Sequence, residues 1–180
     1  MKRLNKILIP TDLSDHSRRA LTYGYRLAAE DKASLIVLHA ANELNSWELS
    51  TEFELYAGNL GRAWPLDRIL SEASLDLNNF LEPHLADLKQ LPSVTKRVVL
   101  GNIPERITST AEEEHADLII MSPRRNRGLR HWLGGSITDR VTRLSPCPVL
   151  SITQPLPSTP WRGKQAPMFF GWPKPRTVEL

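Results

Sequence analysis

Two apolar runs decide the fold: KILIPTD at residues 6–12 and SLIVLHA at residues 34–40. Both are short and rich in Ile, Leu and Val, and the first is closed by proline and polar residues. Each therefore reads as a buried strand. Between them Ala20, Gly24, Leu27 and Ala28 recur at helical spacing, and Ser14 is placed to cap that helix. Two strands joined through a helix make a parallel pair with a right-handed crossover.

Three further runs extend the sheet: TKRVVL (95–100), ADLIIM (116–121) and PVLSI (148–152). Pro65 suits the first turn of a long helix whose apolar stripe is Leu66, Ile69, Leu70, Ala73, Leu77, Phe80 and Leu81, and Pro83 should end or kink it. Pro104 opens the next helix, with Ile107 and Ala111 inward and Glu112 to Glu114 as a solvated face. Ile137, Val141 and Leu144 mark a last helix. The order is strand–helix–strand, an insert, then three helix–strand units, hence an α/β protein with a five-stranded parallel sheet.

Two regions stand outside this pattern. Residues 41–64 exceed the roughly 2–6 residues of a usual connection. Leu49, Phe53, Tyr56 and Leu60 predict a short extra helix there, and Trp47, Phe53 and Tyr56 pack on the sheet edge or cover the crevice as a lid. From residue 153 the chain turns proline-rich and carries Trp161, Phe169, Phe170 and Trp172. That composition excludes regular helix or sheet, so 1–152 is read as the domain and 153–180 as a tail that docks on a protein partner or a second subunit.

Composition narrows the function classes. The chain has 180 residues, 41% hydrophobic and 24% charged, with a net charge of +3. This is ordinary for one globular domain and too mildly basic to be a nucleic-acid signature. No run reaches bilayer length, and MKRLNKILIPTD turns polar too early for a signal peptide, so the expectation is a cytoplasmic protein without membrane contact. The single Cys147, between Pro146 and Pro148, reads as a structural thiol. Histidines 16, 39, 84, 115 and 131 lack paired ligand spacing, which argues against zinc. No P-loop and no Ser–His–carboxylate set is present, so no catalytic residue is assigned.

The chemistry concentrates in SPRRNRGLRHWLGGS (122–136), a loop between the fourth strand and the last helix. Gly134, Gly135 and Ser136 suit a helix start that attracts an anion. Arg124, Arg125, Arg127 and Arg130 are open to two readings: phosphate-binding side chains, or a solvated basic loop.

KILIPTDLSDHS, VVLGNIPERI, ADLIIMSPRR and GLRHWLGGSITDRVTRLSPCPVLSI together resemble the universal stress protein family, across residues 5–152. The resemblance implies an open five-stranded parallel sheet of order 3-2-1-4-5 with helices on both faces, of the adenine nucleotide alpha hydrolase-like kind. It also implies a homodimer, paired through strand 148–152. Some members bind ATP, so the resemblance implies a site for ATP or AMP, with Mg²⁺, between the first and fourth strands. Carried onto this chain, that site comprises Pro10, Thr11, Asp12, Ala40, Met121, Ser122, Arg124, Arg125, Gly135, Ser136 and Ile137. The family's ATP-binding signature is Gly, two residues, Gly, nine residues, Gly, then Ser or Thr. Gly135-Ser136 matches its end, while Ser122 and Arg125 stand where its first two glycines fall, and Pro123 removes an amide donor. Asp12 has two readings, a nucleotide contact or a cap on its own turn.

Three functions follow. The first is a non-enzymatic stress-response protein with an adenine-nucleotide site, hydrolysing ATP slowly at most. The second is a nucleotide-free dimeric scaffold. The third is an anion or nucleic-acid binder acting through residues 124–130, which the mild net charge disfavours.

Overall fold

The computed structural model describes residues 3–41, 65–123 and 136–153. Strand β1 (Lys6–Thr11) leads into helix α1 (Ser17–Asp31) and β2 (Ser34–Ala41). Helix α2 (Pro65–Leu81) ends in a 3₁₀ turn at Glu82–His84 that holds Pro83, followed by the short α3 (Leu85–Leu88). Then come β3 (Val94–Leu100), α4 (Ile103–Glu113), β4 (Leu118–Met121), α5 (Ile137–Leu144) and β5 (Val149–Ser151). The five strands form one parallel sheet of order β3-β2-β1-β4-β5.

The central strands are continuous apolar runs because both of their faces are covered. Ile7, Ile9, Leu35 and Val37 point to one side, against Ala20, Leu21 and Ala28 of α1 and Leu77, Phe80 and Leu81 of α2. Leu8, Ile36, Leu38, Ile119 and Met121 point to the other, against Ile107 and Ala111 of α4 and Val141 of α5. Among the described residues no helix is long and apolar enough to cross a membrane.

Three expectations need correction. Helix α1 begins at Ser17, with His16 at its cap position and no side-chain cap bond. Ser14 closes the tighter turn before it, its carbonyl accepting the Ser17 amide at 3.0 Å and its hydroxyl the same amide at 3.4 Å. Second, the stripe on α5 is buried only at its middle: Val141 is fully covered, whereas Ile137 and Leu144 are 44% and 55% exposed. An eight-residue helix lying against α4 and the edge strand β5 finds cover for little more than one turn. Third, Glu114 is no solvated residue. It accepts Lys6 Nζ at 3.1 Å and Arg97 Nη1 at 3.0 Å. The Lys6 hydrogen bond, above the other causes, holds its carboxyl below the ordinary value. Glu112 and Glu113 are exposed as expected. Strands β4 and β5 are also shorter than the apolar runs that announce them. The side chain of Leu66, the extra helix and aromatics of 42–64, and the tail from residue 154 lie outside the described residues.

Helix α1 approaches the sheet closely because position 24 has no side chain. A Cβ there would overlap Ile9 Cδ1 and lie 3.2 Å from Ile9 Cγ1 and 3.4 Å from Ile120 Cδ1. Gly24→Leu is expected to destabilise the fold by about 1–3 kcal/mol through overpacking. Gly24→Ala should sit near neutrality, because a helix gain of about 1 kcal/mol opposes the overlap. Urea unfolding of both variants checks this, and an unchanged midpoint for Gly24→Leu would refute the close approach.

Candidate functional site

Where β1 and β4 part, the sheet reverses its direction of winding, and one residue sets the place. β1 pairs with β2 from Lys6↔Ser34 to Thr11↔His39, but with β4 only at Ile7↔Leu118 and Leu8↔Ile119. Backbone groups alternate sides along a strand. The Asn5 carbonyl accepts from Ser34 of β2 and the Lys6 carbonyl from Asp117, ahead of β4. Odd residues of β1 thus serve β2 and even ones serve β4. The next donor toward β4 would be residue 10, and Pro10 has no N–H. The ladder to β4 stops while the ladder to β2 continues, and a crevice opens at the carboxyl ends of β1 and β4.

The pleat then sorts the residues expected around that crevice. Pro10, Asp12, Ala40 and Met121 share the parity of Leu8, Leu38 and Ile119, so they fall on the α4–α5 side, where Ser136 starts α5. Ala40 and Met121 are buried, at 9% and 7% exposure. Thr11 and Ser122 fall on the opposite side. The Thr11 hydroxyl is buried in a 2.8 Å bond with the Ser17 hydroxyl and accepts the Leu13 amide at 3.0 Å. Ser122 donates its hydroxyl to the Ile152 carbonyl at 2.9 Å. Arg124, Arg125 and Gly135 lie outside the described residues, as do Arg127, Arg130 and Gly134.

Two loop ends frame the crevice. After β1, Asp12 is exposed and its Oδ1 accepts the Ser14 amide at 3.1 Å, so it caps its own turn. Leu13 within that turn has φ 61°, a left-handed conformation uncommon for a leucine. At the other loop end, Ser136 and Asp139 form a reciprocal capping box. The Ser136 hydroxyl accepts the Asp139 amide at 3.1 Å, and Asp139 Oδ2 accepts the Ser136 amide at 2.9 Å. The helix start expected to take an anion therefore already holds a carboxylate. The Ser-x-x-Asp spacing carries this signal in the sequence. Ile137 is helical, exposed and next to the cap.

The remaining reactive groups have structural partners. His39 donates Nδ1–H to the Thr11 carbonyl at 3.0 Å, since a carbonyl can only accept. The Cys147 thiol is pushed up chiefly by burial, and the Ser145 hydroxyl donates to the Cys147 carbonyl at 2.6 Å. Among the described residues no group of three or more His, Cys, Asp or Glu is placed to hold a metal ion.

Comparison with known proteins places this geometry. The model of the universal stress protein family matches residues 3–152, and the chain belongs to that family. It is similar to universal stress protein YxiE of Bacillus subtilis, 28% identical over 149 residues that span 82% of this chain and 98% of that protein. It is 29% identical over 152 residues to universal stress protein MJ0577 of Methanocaldococcus jannaschii, across 82% and 93% of the two chains. The solved structure of MJ0577 matches with a TM-score of 0.63 at 28% identity, covering 85% of this chain and 98% of that one. A universal stress protein crystallised in complex with cAMP matches with a TM-score of 0.54 at 23% identity, covering 84% and 98%. At that identity the likeness is one of fold.

Removing the Ser136 hydroxyl tests the capping box. Ser136→Ala is expected to lower stability by about 1 kcal/mol, the usual cost of losing such a cap. Chemical denaturation reads this directly, and an unchanged stability would mean that the box does not form in solution.

Proposed function

We propose that this universal stress protein is a non-enzymatic regulatory protein that binds an adenine nucleotide, ATP or AMP, in the crevice between β1 and β4. The observation that carries the reading is the early end of the β1–β4 ladder at Pro10. It leaves the carboxyl ends of two central strands apart at the point where the strand order reverses. In open α/β sheets ligands bind in that crevice. Small Ala40 and apolar Met121 offer a wall for a flat base, and Asp12 stands at the rim. The fold shared with a cAMP-complexed protein makes an adenine nucleotide the first ligand to try. Mg²⁺ would arrive with the phosphates. No general base or metal-ligand group is assembled among the described residues, so any hydrolysis would be slow.

A second reading has its own support. The Asp139 carboxylate at the start of α5 and the Ser122 hydroxyl turned toward Ile152 are what a nucleotide-free scaffold would carry. One experiment separates the two. Protein purified without added nucleotide is denatured and its released small molecules are identified by mass spectrometry, and ATP and AMP are titrated into the stripped protein with and without Mg²⁺. Released adenine nucleotide or micromolar binding is the expected result. Neither release nor heat would leave the scaffold.

The partner surface proposed for either reading is the β5 edge, joined to a second copy of the chain. The two sheet edges differ. β3 carries Lys96 and Arg97, which discourage strand addition, whereas Val149, Leu150 and Ser151 are uncharged. The Pro148 carbonyl and the Ile152 amide serve β4, so residues 149 and 151 turn their backbone outward. Ser151→Pro removes an outward donor and spares the inward ladder. It is expected to convert a dimer to monomer in sedimentation velocity. A dimer that persists would place the interface elsewhere.

A further inference from the structure

We propose that the Ser122 hydroxyl is a two-position switch, which either fastens the carboxyl end of β5 or meets a ligand in the crevice. This rests on the nucleotide reading above. It assigns that site a regulatory output, namely the attachment of the segment that follows β5.

The argument starts from the β4–β5 ladder. The register is Ile119↔Val149, Ile120↔Leu150 and Met121↔Ser151. The Ile119 amide donates to the Pro148 carbonyl at 3.0 Å, and the Ile152 amide donates to the Met121 carbonyl at 2.7 Å. In a parallel ladder the Ile152 carbonyl should next accept from the amide of residue 123. That residue is Pro123, which has no N–H. The Ser122 hydroxyl takes over, donating to the Ile152 carbonyl at 2.9 Å. Both backbone groups of Ile152 are thus held by the end of β4, the carbonyl by a side chain standing in for a missing amide.

A serine hydroxyl has a single proton to donate. While that proton serves Ile152 it serves no ligand. Ser122 directly follows Met121 on the crevice rim, and rotation about one side-chain bond turns the hydroxyl away from β5. A phosphate or ribose oxygen that draws the proton leaves the Ile152 carbonyl without its donor. The last residue of the β5 ladder then loosens, immediately before the chain leaves for residues 154–180. Coupling of this kind is reciprocal, so fastening Ile152 also weakens the ligand. A glycine at position 122 would carry no hydroxyl, so the link depends on this chain's Ser122-Pro123 pair.

Hydrogen exchange of the Ile152 amide in the full-length protein, followed by NMR, tests the switch, with ATP binding measured on the same samples by calorimetry. Without ATP, Ser122→Ala should accelerate that exchange roughly two- to tenfold, the range one net hydrogen bond commands. Ser122→Thr, which keeps a hydroxyl, should match the native protein. Saturating ATP should accelerate native exchange by a similar factor and leave Ser122→Ala unchanged. Equal exchange in native protein and Ser122→Ala would overturn the proposal at its root. ATP binding that leaves native exchange unchanged would overturn the switch and spare the nucleotide site. No ATP binding would overturn both.

Discussion

A parallel ladder advances only where each strand presents an N–H at every second residue, and two prolines withhold one at the carboxyl side of this sheet. Pro10 faces β4 from the middle of the sheet, and Pro123 faces β5 just past the end of β4. A proline in a central strand ordinarily argues against the strand. Pro10 is tolerated because its missing donor falls on the one side where the sheet is about to part. Its neighbours Ile9 and Thr11 keep β2 in register to His39. At the opposite end the same strands are drawn together. Asp117 Oδ2 accepts the amides of Asn5 at 2.8 Å and Lys6 at 3.2 Å, and Glu114 pairs with Lys6 and Arg97. The β1–β4 junction is a wedge, closed by charge-assisted bonds at the amino end and opened by a proline at the carboxyl end.

Packing makes the wedge rigid. Ile7, Leu8 and Ile9 are wholly buried, and successive side chains lock into opposite cores, so β1 cannot slip by one residue without exchanging the two. Gly24 lets α1 lie directly on Ile9 and Ile120. That closeness fixes the turn from Asp12 to Ser17, where Leu13 is held at positive φ and the Thr11 and Ser17 hydroxyls satisfy each other in the interior. The rim of the crevice is therefore shaped before any ligand arrives, and its mobile element is reduced to single side-chain rotations such as that of Ser122.

Much of this was legible in the sequence. The apolar runs at 6–12 and 34–40 announced their strands because burial on both faces removes polar alternation. Pro83 marked the end of α2 and Pro104 the start of α4, because proline acts on its own local backbone. The strand order came from family resemblance, since periodicity alone does not order strands. What stayed hidden needed partners distant in the chain. Glu114 read as solvated because Lys6 lies 108 residues away. Ile137 and Leu144 read as core because spacing shows which side chains share a face but not how much protein stands opposite it. Pro10 and Pro123 were visible as residues, yet which neighbour loses a hydrogen bond depends on register. The capping box was present as a spacing, and its consequence for anion binding appeared only once Asp139 was seen bonded to the Ser136 amide.

That consequence bears on which end of a nucleotide the crevice can grip. A helix start attracts phosphate through unpaired amides and the dipole. At α5 the amides of Ser136 and Asp139 are engaged by the capping box, and the Asp139 carboxylate supplies the negative charge that the dipole favours. A phosphate seated there would face a like charge, with a repulsion on the order of 4 kcal/mol at 4 Å near a protein surface. Binding of a triphosphate thus requires a compensating cation, either Mg²⁺ carried in with it or arginine side chains of the 124–130 segment. The base end meets no such opposition, because Ala40 and Met121 are uncharged and the Asp12 carboxylate is engaged with its own turn. The same geometry that weakens a phosphate cradle leaves a wall for a base intact, so the nucleoside end is where affinity in this crevice should reside.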